Sequence, residues 1–168
     1  EKLHEYYDNV SWVSFPRGLK RRNALSLKKW RRQLAPAIEK EIFLQYIFQK
    51  QWQAVKAYAN EKGVAVLGDM PIYVAMDSAD VWSGLPLFLI DEKTLKPEKV
   101  AGVPPDYFSE NGQLWGNPLY DWERMREDGF GWWIRRIDGA GKLYDIIRID
   151  HFRGFESYWA VPYGETTA

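Results

Sequence analysis

The stretch LYDIIRIDHFRG, Leu143 to Gly154, decides the fold. Leu143 to Ile149 is a short apolar run rich in β-branched residues, the pattern of a buried strand. It closes on Asp150-His151-Phe152-Arg153-Gly154, a polar cluster where a strand would end. The same arrangement stands earlier in the chain, where VAVLG (64–68) is bounded by Gly63 and followed by Asp69. Before it, Pro36 to Lys62 reads as a helix. Pro36 suits the first turn, Leu44, Phe48, Trp52, Val55 and Ala59 recur at helical spacing, and Gly63 stands where a left-handed cap would end it.

Between the two strand candidates, residues 69–118 are dense in turn formers: Pro71, Gly84, Pro86, Pro104-Pro105, Gly112, Gly116 and Pro118. This predicts a long loop, and loops of that length are functional or disordered. Its aromatic and apolar residues (Tyr73, Trp82, Phe88, Leu89, Tyr107, Phe108, Trp115) speak against disorder. Leu119 to Ile137 reads as helical pieces interrupted by Gly129 and Gly131. The order helix, strand, loop, helix, strand predicts an α/β fold whose parallel strands are joined by helical crossovers. Such sheets, closed or open, place ligands at the C-terminal ends of their strands.

Composition narrows the chemistry. The 168 residues carry 23 Lys+Arg and 23 Asp+Glu, so nothing electrostatic favours nucleic acid or an anionic membrane. Cysteine is absent and there are two histidines, His4 and His151, which leaves no disulfide framework and no ordinary zinc site. No stretch approaches the roughly 20 apolar residues of a membrane span, and the first residues lack the blocks of a signal peptide. A reducing compartment, cytoplasmic by default, is the expectation. Nine Trp, ten Tyr and eight Phe are unusual. Most of that area is expected to pack a core, with a remainder free to stack on the flat apolar faces of sugar rings. The first 34 residues are polar and basic with aromatic pairs such as Tyr6-Tyr7.

Three constellations carry chemistry. In IRIDHFRG (147–154), Arg148 and Asp150 are two apart, so on a strand they share a face. An Arg beside a carboxylate lowers its pKa and keeps it ionised, as a nucleophile requires, unless the two form a structural ion pair. His151 can hydrogen-bond a hydroxyl in either tautomer. In GDMPIY (68–73), Asp69 is an acceptor at the other strand end, or else a turn residue. GVPPDYFSENGQLWGNPLY (102–120) combines stiff prolines, amides and aromatics, suited to gripping a glycan or to packing as a surface loop. There is no HExxH, G-x-S-x-G or P-loop; Gly139-Ala140-Gly141-Lys142 precedes a strand instead of following one.

Three segments together resemble the amylomaltase family of glycoside hydrolases, the 4-α-glucanotransferases: GDMPIYVAMDSADVW (68–82), VAGVPPDYFSENGQLWGNPLYDW (100–122) and YDIIRIDHFRGFESYWAVP (144–162). FLQYIFQKQW (43–52) and YANEKG (58–63) extend the likeness over most of the chain. The resemblance implies part of a (β/α)8 TIM-type barrel, its third and fourth strands, with residues 1–168 forming one partial catalytic domain. It implies a retaining transfer of α-1,4-glucan segments to the free 4-hydroxyl of another glucan, with a maltooligosaccharide or a starch- or glycogen-derived chain as partner and no cofactor or metal. Asp150 resembles the nucleophile, Arg148 its electrostatic partner, and His151 and Asp69 hydroxyl ligands near the cleaved bond. Tyr107, Phe108, Gln113 and Trp115 fall in the family's loop over the acceptor side. Met76 departs from the pattern, where an acidic residue is frequent. Bacterial cytoplasm and plant plastid both host the family.

A retaining mechanism needs a second carboxyl about 5–5.5 Å from the nucleophile, and the resemblance puts that Glu on a later strand. A barrel takes about 250 residues. The expectation is therefore a piece of a larger enzyme, inactive alone because nothing protonates the leaving oxygen. A hydrolase sharing the same nucleophile, or a glycan-binding module using the aromatics as platforms, are the alternatives.

Overall fold

A computed structural model describes residues 1–168, and its elements follow the expected order with one large addition. The helices are α1 (Lys2–Tyr6), α2 (Arg17–Lys20), α3 (Ala24–Gln33), α4 (Ala35–Glu61), α5 (Ala79–Ser83), α6 (Trp122–Glu127) and α7 (Gly131–Leu143). The strands are β1 (Leu67–Pro71), β2 (Lys99–Val103), β3 (Gln113–Pro118), β4 (Ile146–Asp150) and β5 (Trp159–Pro162). The fold is mixed α/β, and the chain forms two compact units: Glu1–Leu67 with Lys142–Ile146, and Gly68–Gly141 with Ile147–Ala168. No helix is long and apolar enough to cross a membrane.

In the first unit, Asn23 caps α3 by accepting from the N–H groups of Leu25 and Ser26. Trp12, Phe15, Leu19 and Trp30 are buried there. The aromatic pair Tyr6-Tyr7 packs on Trp30 and Phe15, with the Tyr7 and Phe15 rings 5.2 Å apart. Helix α4 runs 27 residues and has Pro36 in its first turn. It stops as expected. Gly63 adopts φ +74°, the Gly63 N–H donates to the Asn60 carbonyl, and the Val64 N–H donates to that of Ala59. No α4 residue is fully buried. Leu44, Phe48 and Val55 of its apolar stripe are exposed, whereas Trp52 packs against Tyr144 and donates its indole N–H to the Leu143 carbonyl at 2.7 Å.

Asp145, one residue before β4, ties this unit together. Its carboxylate accepts from the Asn60 amide at 2.8 Å and the Val66 N–H at 2.8 Å, and faces Lys56 Nζ at 3.1 Å. These bonds and the charge hold its pKa down at about 2.

Both expected strands exist, displaced from their expected ranges. Val64 to Val66 lie outside β1, so Asp69 falls inside that strand instead of just past it. Its faces alternate, with Gly68 and Met70 buried and Leu67, Asp69 and Pro71 exposed, which is one buried face and not two. Leu143 is the last residue of α7, not the first of a strand, and α7 passes the expected end at Ile137. Short apolar runs cannot distinguish helix from strand by periodicity. β1 and β4 are hydrogen-bonded neighbours. Val66 meets Asp145 and Asp69 meets Arg148 at the same separation of 79 residues, a constant offset that marks parallel pairing.

The expected long loop, 69–118, contains regular secondary structure. It holds α5, capped by Ser78, and two strands of a three-stranded antiparallel sheet ordered β3-β2-β5. Gly116 reads as a turn residue but lies within β3, and β2 holds Gly102. At Gly102 a Cβ would stand 2.7 Å from the Gln113 carbonyl oxygen, so close approach, not a turn, requires glycine there. The break between α6 and α7 does follow the glycines, with Gly129 at φ +68°.

The second unit's core accounts for much of the aromatic excess. Tyr120 is buried, stacks on Tyr73 at 5.9 Å, and meets Phe88, Trp132 and Trp133 within 5.3–5.5 Å. Its hydroxyl donates to the Ile72 carbonyl at 2.6 Å. Arg136, lying over Trp132 and Trp133, donates to the Ile72 carbonyl at 3.0 Å and to that of Pro71 at 2.6 Å. The backbone leaving β1 is thus fixed by two side chains from distant parts of the sequence.

Candidate active site

Asp69 on β1 and Arg148 on β4 face one another across the parallel pair. The Arg148 guanidinium donates through Nε to Asp69 Oδ1 at 3.1 Å and through a terminal nitrogen to Oδ2. This fork holds the Asp69 carboxyl below the usual carboxylate range. Asp150, two residues on, is exposed and reaches Arg148 through space. Arg148 is therefore engaged first by Asp69, contrary to the pairing with Asp150 that their spacing on one strand face suggested. Strand spacing explains it: a cross-strand neighbour is about 4.8 Å away, whereas residues two apart on a strand are separated by about 6.6 Å. Both partners are about half exposed or more, 64% and 50%. Such a pair adds little to stability, so its effect is positional: it locks the guanidinium beside the end of β4.

His151 follows Asp150 in the left-handed region, φ 51° and ψ 44°, and turns the chain into a short 3-10 turn, Phe152–Phe155. Gly154 closes that turn by donating its N–H to the His151 carbonyl at 2.8 Å. It is buried, and a Cβ there would stand 2.9 Å from Ile72 Cδ1 and 3.0 Å from His151 Cδ2. The absent side chain lets the imidazole sit against the segment that leaves β1. On its other side, His151 meets the Trp115 ring edge-on at 4.9 Å. Trp115 donates its indole N–H to Gln113 Oε1 at 3.1 Å, the two sharing one face of β3.

Six of the eight residues singled out in the sequence thus lie in one linked neighbourhood: Asp69, Arg148, Asp150, His151, Trp115 and Gln113. Tyr107 and Phe108 stand apart, 97% and 90% exposed, with their rings packed on each other at 5.6 Å. Asp106 accepts from the N–H groups of Phe108 and Ser109, each at 2.8 Å, and shapes the turn that displays them. Sequence reading assigned no task to Gly154, Arg136 or Tyr120. Gly154 and Tyr120 stood in quoted motifs; Arg136 carried no local signal. Gly139, Ala140, Gly141 and Lys142 lie within α7, which excludes a phosphate loop there. Nowhere do three or more His, Asp or Glu side chains gather as metal ligands.

The whole chain, residues 1–168, matches the family model described as 4-alpha-glucanotransferase. The chain belongs to the 4-alpha-glucanotransferase family. A family member from Clostridium butyricum is 51% identical over 162 residues, covering 96% of this chain and 33% of the relative. The chloroplastic/amyloplastic 4-alpha-glucanotransferase of Solanum tuberosum is 50% identical over 161 residues, 96% of this chain and 28% of the relative. Among solved structures, the amylomaltase from Streptococcus agalactiae in complex with acarbose superposes with a TM-score of 0.91 at 43% identity, over 98% of this chain and 33% of that one. The chain spans about a third of the length of the curated relatives it matches.

Proposed function

We propose that these residues carry the nucleophile of a retaining 4-α-glucanotransferase, and that β1 and β4 are the third and fourth strands of a (β/α)8 barrel of which residues 1–168 form one part. The observation that carries the reading is the placement of Asp150 at the last position of β4, beside a guanidinium locked by the neighbouring parallel strand. In such sheets the reacting groups stand at strand C-terminal ends.

An Asp150 carboxylate oxygen attacks the anomeric carbon of a glucosyl unit. The bond from that carbon to the 4-oxygen of the next unit breaks, and the departing oxygen takes a proton from a general acid. The 4-hydroxyl of an acceptor glucan then attacks the same carbon, returns its proton to the now basic partner and frees Asp150. Asp69 is ill suited to be that acid, because the Arg148 fork keeps it ionised. The acid comes from elsewhere in the full-length enzyme, so the segment alone lacks turnover. Asp69 and His151 serve as ligands for sugar hydroxyls, and Gln113 and Trp115 border the same place. Tyr107 and Phe108, on their displayed turn, cover the acceptor side; keeping water from the glycosyl-enzyme favours transfer over hydrolysis. That the amylomaltase from Streptococcus agalactiae was solved in complex with acarbose supports a glucan-like ligand for the full-length enzyme.

The test uses the full-length protein containing this segment, wild type and Asp150→Asn, incubated with maltotriose and followed by chromatography. Glucose plus a ladder of longer maltooligosaccharides from the wild type, absent in the variant, is the expected result. Glucose and maltose without a ladder would make the enzyme a hydrolase, and an undiminished ladder from the variant would remove Asp150 from the role.

A further inference from the structure

The basic block near the start of the chain has no task in the site described above. From residue 9 to residue 38 there are eight Lys and Arg and no Asp or Glu. The imbalance extends to the two compact units: the first carries 14 Lys and Arg against 7 Asp and Glu, the second 9 against 16. A chain neutral as a whole thus consists of a basic unit and an acidic one. A polyanion drawn to the first is repelled by the second, whereas another copy of the chain complements both.

Two surfaces match in shape as well as in charge. On α3, Leu25, Lys28, Lys29 and Arg32 are three or four apart and share a face. Trp30 points the other way, buried against Tyr6 and Tyr7, which turns that face outward. The three cations are exposed, and none is paired with a carboxylate of its own chain. Leu25, in their midst, is 78% exposed. In the second unit, a cleft of about 460 Å3 opens between the residues before β2 and those leading into α6. Leu89 and Leu119 give it an apolar lining, and Asp91, Glu98 and Asp121 stand around it against one cation, Lys99. Leu89 is 41% exposed, so the cleft stays open within one copy. An apolar side chain ringed by cations fits an apolar cleft rimmed by carboxylates. That is the anatomy of a small interface, apolar at its centre and polar at its rim.

We propose that the protein pairs with a second copy of itself, α3 of each copy lying in the acidic cleft of the other. Leu25 then seats on Leu89 and Leu119, and Lys28, Lys29 and Arg32 face Asp91, Glu98 and Asp121. Because each copy offers one helix and one cleft, reciprocal contacts close as a two-fold dimer. The pairing is independent of the reaction assigned above. The experiment is sedimentation of the full-length protein containing this segment, from about 1 to about 200 μM, at about 50 and about 500 mM NaCl. Wild type is expected to form a dimer that weakens at least about tenfold at the higher salt. Lys28→Glu/Arg32→Glu and Asp91→Lys/Glu98→Lys are each expected to be monomeric, because like charges then meet at both contacts. Mixed in equal amounts, the two variants restore the dimer: a reversed helix meets a reversed cleft, and a native helix meets a native cleft. Leu25→Ala weakens the dimer by about tenfold and leaves its salt dependence unchanged. Circular dichroism checks that each variant is folded. Asp91 also shapes its own turn by accepting from the N–H groups of Lys93 and Thr94. Should its substitution unfold the protein, Glu98→Lys and Lys28→Glu are mixed instead, with the same recovery expected. A wild type monomeric throughout, a dimer indifferent to these changes, or variants that stay monomeric when mixed would overturn the proposal.

Discussion

Asp145 and Asp150 stand five residues apart at the two ends of β4, in opposite chemical situations. Asp145 accepts from the Asn60 amide and the Val66 N–H and faces Lys56 at 3.1 Å. Asp150 is exposed, and the guanidinium nearest to it in sequence is already held by Asp69. A carboxylate engaged by three groups from a neighbouring segment serves the fold. One left open beside a fixed positive charge can serve chemistry. The contrast agrees with the rule that, in parallel α/β architectures, the ends where strands begin serve stability and the ends where they finish serve function.

Making one substitution at both positions gives the sharpest break. Asp150→Asn in the full-length enzyme is expected to reduce transfer by about a thousandfold or more, since the amide cannot form the ester intermediate, while Tm stays within about a degree. If Tm dropped and activity survived, the two carboxylates would have exchanged roles.

Gly154→Ala probes the same functional end less directly. Its Cβ would press on the imidazole of His151 and on Ile72. Because displacements near an ångström matter to catalysis, kcat/KM is expected to fall about ten- to a hundredfold, with the folded fraction by circular dichroism largely retained. Unchanged kinetics would show that the position of His151 is irrelevant to turnover.

Asp145→Asn is the counterpart with the smallest effect on activity. The amide oxygen can keep the Asn60 and Val66 donors, which share Oδ2, but an NH2 group replaces the oxygen facing Lys56 and the negative charge is lost. Tm is expected to fall by about 1–3 °C, with kcat unchanged. The pH dependence has a definite sign. Because the folded carboxyl sits at about 2 and its ordinary value is 3.8, the Asp145 contribution is complete above 3.8 and is lost as pH falls towards 2. The gap in Tm between wild type and variant, followed by thermal melts across pH 5 to 2, should narrow over that window. A gap that widened on acidification would contradict the assignment.

These contrasts also mark what the sequence discloses. The stop of α4 at Gly63 was legible because a left-handed cap has local chemistry. The C-terminal end of β4 was legible because Asp150-His151 follows an apolar β-branched run. Strand boundaries were less so: VAVLG reads as the strand, yet the strand begins at its fourth residue and runs through Pro71. The antiparallel sheet was hidden because Gly116 and the flanking prolines resemble turn residues, and only the nearness of Gln113 shows why residue 102 is glycine. The partner of Arg148 lies 79 residues away, and the donors that fix the Ile72 carbonyl, Tyr120 and Arg136, lie 48 and 64 residues away. No local pattern encodes contacts at such separations. The apolar stripe on α4 is another case: its helical period was plain, but Leu44, Phe48 and Val55 stay exposed.

The most direct test of the open carboxylate at the end of β4 is to trap it. Full-length enzyme is incubated with a fluorosugar donor whose glycosyl-enzyme turns over slowly, then quenched, digested and analysed by peptide mass spectrometry. The account predicts a glycosyl adduct on the peptide containing Asp150, lost in Asp150→Asn and present in Asp145→Asn. An adduct on another carboxylate would contradict it.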